Sequence, residues 1–169
     1  MELEKYTIKA QEAVKSAVDS ASRNRQQAIE PVHLLFGVIK AGENVTNFVF
    51  RKLGIEPDVI RRGVEAEITH LPRVTGGEPY LSRESNDILL AAEDLARKNG
   101  DEFVGIEAIL MAIAASKGTA AQILKDAGVT GQNLAEAVKE LRGGHKVNSQ
   151  SSEDTYQALS KYARNLVEA

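Results

Sequence analysis

Cysteine and tryptophan are both absent from the 169 residues. Without thiols the chain has no disulfide, no thiolate zinc site and no cysteine nucleophile, which fits a cytosolic protein; a cytoplasmic location is the expectation. Long apolar runs are missing as well. The longest, residues 108–115, is far short of the about 20 residues that cross a bilayer, and the N-terminus Met1-Glu2-Leu3-Glu4-Lys5 is charged from its second position. No secretion, anchoring or membrane partner is expected. An excess of positive charge is lacking too: residues 1–73 carry 11 basic and 10 acidic side chains and the remainder 10 and 14, for a net charge of −3. That balance argues against nucleic acid as a partner.

What the chain does have is a second copy of itself. Residues 6–67 and 81–141 follow one plan, offset by 75 positions and then 74. Ala17, Asp19, Ala21, Arg23 and Asn24 precede Ile29 and His33-Leu34-Leu35; Ala92, Asp94, Ala96, Lys98 and Asn99 precede Val104 and Ala108-Ile109-Leu110. Leu53-Gly54-Ile55 is answered by Ala127-Gly128-Val129. A unit of this size is marginally stable alone, so the copies are expected to share one core.

Helix punctuation is legible in both copies. Thr7 and Ser82 read as N-caps ahead of stripes that include Ile8, Ala10, Ala13, Val14 and Ala17 in the first copy and Ile88, Leu89, Ala92, Leu95 and Ala96 in the second. Pro31 and Pro57 suit a first helical turn, and the counterparts of those helices start near Gly105 and Thr130. Asn44 and Thr119 are expected to cap a third helix in each copy, which Gly54 and Gly128 end as left-handed residues. The expected fold is therefore all-α: a pseudo-twofold double repeat of four helices each, eight in total.

Residues 70–79, with two prolines and paired glycines, form an inter-repeat loop. The domain is expected to span residues 1–143. Residues 144–153, rich in glycine, serine and amides, read as a flexible linker. In residues 154–169, Tyr156, Leu159, Tyr162 and Leu166 make an amphipathic stripe, the start of a further helix with nothing in this chain to cover it.

Catalytic signatures are not found. His33, His70 and His145 share no metal-ligand spacing, and His33, on an apolar helix face, reads as a hydrogen-bonded core residue. Gly37 and Gly42 have the spacing of a phosphate loop, but Glu43-Asn44 stands where lysine and a hydroxyl are required, so no cofactor and no metal are expected in this chain. Arg51, Lys52, Arg61 and Arg62 read as a solvated face.

The copies differ most around the second helix start. Arg25-Gln26-Gln27-Ala28 becomes Gly100-Asp101-Glu102-Phe103, and Val32-His33 becomes Glu107-Ala108. One account is capping: Asp101 and Glu107 flank a helix N-terminus, where unpaired N–H groups stabilise carboxylates. The other is a binding rim, in which these acids sit beside apolar Phe103, Leu89 and Leu95 and meet cationic peptide groups while the apolar floor accepts hydrophobic side chains.

Five segments, in order, resemble the N-terminal domain of Clp-type AAA+ chaperones, and within that family the ClpB disaggregase branch. They are Lys5-Tyr6-Thr7-Ile8-Lys9-Ala10-Gln11, Ile29-Glu30-Pro31-Val32-His33-Leu34-Leu35, Leu71-Pro72-Arg73-Val74, Arg142-Gly143-Gly144 and Tyr156-Gln157-Ala158-Leu159-Ser160-Lys161-Tyr162. The ClpC branch has a G-T-E-H-type motif in both repeats; Glu30-Pro31-Val32-His33 and Gly105-Ile106-Glu107-Ala108 depart from it and give no ground for carrying over adaptor docking or phosphoarginine recognition. The resemblance implies a mobile, non-catalytic domain that helps capture unfolded or aggregated polypeptides. It would be tethered to a homohexameric ring whose own modules bind ATP and magnesium, acting with an Hsp70 system. It also implies substrate contact at Thr7, Asp101 and Glu107. An adaptor-docking or regulatory domain is the alternative.

Overall fold

The computed structural model describes residues 3–74 and 76–153. Eight helices form among them, four from each copy, as the punctuation requires. Thr7 is extended, and its Oγ1 accepts the Ala10 amide at 3.1 Å to start α1 (Ile8–Arg23); Ser82 does the same through the Ser85 amide, also 3.1 Å, to start α5 (Arg83–Lys98). Pro31 and Pro57 open α2 (Pro31–Ala41) and α4 (Pro57–His70), where a missing N–H leaves no intrahelical bond unmade. Gly105 precedes α6 (Ile106–Ala115), and Thr130 and Asn133 cap α8 (Gly131–Arg142) reciprocally.

The third helices begin one residue or two earlier than the sequence suggests. In α3 (Glu43–Lys52) and α7 (Thr119–Ala127), Asn44 and Thr119 lie inside the first turn, and Gly42 and Gly118 hold the cap positions. Crowding decides the first case, because a Cβ on Gly42 would lie 2.7 Å from Ile106 Cγ2. Backbone conformation decides the second, because Gly118 turns at φ 119°, where a side chain is strained. Gly54 and Gly128 close α3 and α7 at positive φ as expected.

Two short strands join the repeats, β1 (Ala28–Ile29) and β2 (Tyr80–Leu81), paired in parallel with Ile29 opposite Leu81. A single parallel bridge, Tyr6 to Val104, is their twin under the 75-residue offset. Each repeat thus lends the residues before its first helix to the segment before the other's second helix. Thr7 N–H donates to Val104 O at 2.9 Å and Ser82 N–H to Ile29 O at 3.1 Å, so two helix entries are satisfied only across the repeat boundary.

The core runs through α2 and α6, which pack on each other while α3 meets α8 and α4 meets α7. Their composition explains the central place: α2 buries Val32, Leu34, Leu35, Val38 and Ile39, and α6 buries Ile106, Ile109, Leu110, Ala112 and Ile113. His33 is a core residue. Its Nδ1 accepts the Glu30 amide at 2.9 Å, so Nε2 carries the proton and donates to Gln26 Oε1 at 2.8 Å, and burial lowers its pKa to about 4. Gly37, one half of the phosphate-loop spacing, lies inside α2 against α1.

Residues 144–153, read from composition as a linker, lie along the domain instead. Gly143 and Gly144 turn the chain at positive φ after α8, and Val147 is only 1% exposed. Composition misleads here because hydrogen bonds and one aliphatic side chain do the anchoring, and neither needs apolar periodicity. The amphipathic stripe at 156–166 lies outside the described residues.

Gly37 sets the separation of α1 and α2, since a Cβ there would fall 2.0 Å from the Ala13 carbonyl oxygen. Gly37→Ala should destabilise the domain by about 1–3 kcal/mol or more, the range for overpacking a close-packed core. Urea denaturation followed by circular dichroism measures it; an unchanged midpoint would show that the helices separate freely.

Candidate functional site

Among the buried positions at which the repeats differ, two place an acid in the second repeat, and both lie on one seam. Gln26 and Asp101 are twins. Gln26 Nε2 donates to Ile68 O at 2.6 Å, holding the end of α4, while Asp101 Oδ1 accepts from Arg142 Nη2 and from the Val147 amide at 3.0 Å, holding the chain that leaves α8. The Asp101 side chain is 4% exposed. It is an anchor for the C-terminal segment, and the exposed rim expected from the sequence is not where this carboxylate points.

Val32 and Glu107 are the other pair of twins. A carboxylate therefore stands in the first turn of α6 where the first repeat has an aliphatic side chain, and Glu107 is 2% exposed. Its oxygens pack over Gly105, together with Glu153: a Cβ on Gly105 would lie 2.9 and 3.0 Å from the two Glu107 oxygens and 3.0 Å from Glu153 Oε2. Neither Glu107 oxygen has a hydrogen-bond partner on any other described residue. Burial first, and the Glu153 charge second, push the Glu107 pKa up from 4.5 to about 7; the Asp101 charge adds to the shift, and the backbone of Glu107 itself and the Arg142 charge oppose it.

Thr7 completes the group. It is fully buried, and while its Oγ1 caps α1 it donates to Glu153 Oε2 at 2.7 Å. The same Glu153 oxygen accepts the Ile106 amide at 2.9 Å, filling the α6 N-terminus that Gly105 has no side chain to cap. Thr7, Glu107 and Glu153 thus meet at one end of the seam. Asp101 sits at the other end, on Val147.

The expected apolar floor is divided. Leu89 is closed into the core at 1% exposure, and Leu95 and Phe103 are partly buried against it. Among the described residues, Ile8 on α1 and Leu90 on α5 are aliphatic side chains that face solvent. Val147 and Glu153 were missed by sequence reasoning. One signal was available: Val147 is the sole aliphatic residue in 143–153. Among the described residues no cluster of acids and histidines could hold a metal ion, and no single helix is long and apolar enough to cross a membrane.

The family of the Clp repeat (R) N-terminal domain matches residues 5–127, about three quarters of the chain. The chain belongs to this family. The chaperone protein ClpB of Bacteroides thetaiotaomicron is 54% identical over 169 residues, 100% of this chain and 20% of that protein. ClpB of Porphyromonas gingivalis is 49% identical over 166 residues, 98% of this chain and 19% of that protein. The chain spans about a fifth of the length of the curated relatives it matches. In fold it is similar to the Hsp104 N-terminal domain from Candida albicans, with a TM-score of 0.79 at 20% identity, covering 88% of this chain and 99% of that one. The N-terminal domain of ClpD from Arabidopsis thaliana, at TM-score 0.65 and 23% identity, covers 85% of this chain and 98% of its own.

The buried carboxyl gives this Clp repeat domain a definite pH response. A raised pKa means that the folded state favours the protonated acid, so the contribution of Glu107 to stability is whole below about pH 4.5 and is lost as pH rises through about 7. Glu107→Gln removes that loss. The variant should melt at the same temperature as the parent near pH 4.5 and several degrees higher from pH 7.5 upward, with the gap opening between those values. Thermal melts across the pH range read this directly; a constant gap would mean that Glu107 does not titrate against Glu153, Arg142 and Asp101.

Proposed function

We propose that this Clp repeat domain is a non-catalytic polypeptide-binding module of a ClpB-type disaggregase, helping a cytoplasmic ATPase ring capture unfolded or aggregated proteins. The observation that carries the reading is 54% identity to a ClpB along the whole chain. In such a chaperone ATP, magnesium and cooperation with an Hsp70 system belong to the remaining modules and the hexamer, and this domain contributes affinity for clients. Thr7, Asp101 and Glu107 line the client site in this reading.

The chemistry of the seam supports it. Main-chain donors at Ile8, Glu102, Phe103 and Ile106 are engaged by one segment, the first three by the carbonyls of Val147 and Gln150 and the last by the Glu153 carboxylate. Main-chain pairing recognises a backbone whatever its side chains, which suits a binder of many unfolded sequences. Binding is weak and reversible, because a client must be passed on.

Titration of the chain with reduced, carboxymethylated α-lactalbumin and with native α-lactalbumin tests this proposal. The unfolded form should bind in the micromolar range or weaker and the native form not at all. Amide shifts on adding the unfolded probe should be largest at residues 7–8 and 101–107. Equal binding of the two forms, or shifts confined to α4 and α7, would remove the polypeptide site from this seam, and capture of one folded partner in their place would favour an adaptor-docking role.

A further inference from the structure

We infer that residues 146–153 are an internal strap that occupies the polypeptide site and competes with clients for it, so that the surface takes a peptide that lays down an aliphatic anchor, turns, and presents a carboxylate six residues later. The inference rests on the reading of this seam as the polypeptide site and names what binds there.

The strap is held as a bound peptide would be. Val147 O accepts the amides of Glu102 and Phe103 at 2.8 and 3.1 Å, and Val147 N–H donates to Asp101 at 3.0 Å. Gln150 O accepts the Ile8 amide at 2.8 Å, and the Lys146 ammonium donates to Asn99 O at 2.6 Å. Two side chains supply the anchors. Val147 is buried among apolar groups, and Glu153 receives the Thr7 hydroxyl and the Ile106 amide. Thr7 and Asp101, two of the three residues for which the family resemblance implies client contact, are thereby covered by residues 147–153.

The acidic end of this strap is held against opposition. Glu153 docks beside Glu107, whose two buried oxygens have no hydrogen-bond partner on any other described residue. A buried polar group without a partner costs free energy, and a second acid beside it adds to that cost. A segment meant only to seal the fold would be matched by an aliphatic side chain, as Val32 provides at the equivalent place in the first repeat. Glu107 in its stead makes the strap's hold conditional, which is what a displaceable ligand needs. An occupied site lowers apparent client affinity by the fraction of time it is open.

The test uses the full chain, which has no cysteine of its own. In Ile8→Cys/Gln150→Cys, whose two backbones are joined by a hydrogen bond, oxidation fixes the strap and dithiothreitol frees it. Reduced, carboxymethylated α-lactalbumin should bind the oxidised protein at least about tenfold more weakly than the reduced one, since affinity follows the open fraction and the disulfide leaves the site open less than about a tenth as often as in the reduced protein. Val147→Ser/Glu153→Ala, which frees both anchors, should bind the probe several-fold more tightly than the parent. A synthetic peptide of residues 145–153 should compete with the probe on that variant, and the same peptide with Glu153→Ala should not. Equal binding by oxidised and reduced protein, or failure of the peptide to compete, overturns the strap. If the peptide binds the freed variant while no form binds the probe, the polypeptide reading falls, and competition with clients falls with it.

Discussion

The reciprocal pairing of backbone across the repeat boundary is the constraint on which the rest of the structure depends. Tyr6 lies beside Val104, and Leu81 beside Ile29, so each repeat satisfies the amides at the other's helix entries. Neither half can do this alone, because a buried N–H or carbonyl needs a partner and the partner lies in the other repeat, 97 positions away for Thr7 and 53 for Ser82. The pairing brings the starts of α1 and α6 together, and with them Thr7, Gly105 and Ile106. The candidate site is a by-product of that meeting: two helix N-termini, with their unpaired amides, opened onto one seam.

Symmetry builds the scaffold and two substitutions specialise it. At the first, Gln26 and Asp101 do the same mechanical work on the chain leaving the fourth helix of their own repeat, but the acid also recruits Arg142, so the second exit is held by charge where the first is held by an amide. At the second, Val32 seals one α2 entry with methyl groups while Glu107 leaves the matching α6 entry polar, buried and short of partners. Glycine at 105 follows from this, since the two carboxylates crowd the space that a Cβ would fill. A double repeat can afford such an irregularity because the shared core through α2 and α6 holds the frame in place.

Much of the frame could be read from local chemistry. Thr7, Ser82 and Thr130 cap the helices they precede, Pro31 and Pro57 open theirs, and Gly54 and Gly128 end theirs, because capping and φ preferences act within three or four residues. Where long-range contact decided the outcome, local reading slipped. Gly42 displaces Asn44 as a cap because Ile106, 64 positions on, leaves no room for a side chain. Asp101 and Glu107 were legible as departures from symmetry, but their burial was not, since it comes from a segment whose composition is that of a linker.

What the sequence by itself determined is the element list, the duplication and the places where the copies disagree, all carried by periodicity, caps and side-chain identity over short spans. Only the tertiary structure decided what those disagreements face. The partners of Thr7 and Asp101 are Glu153, Val147 and Arg142, brought in from 41 to 146 positions away, and Glu107 lies against Glu153 over Gly105. Contacts over such separations follow from how the helices pack and where the tail lies down, and nothing in the residues near either partner encodes them.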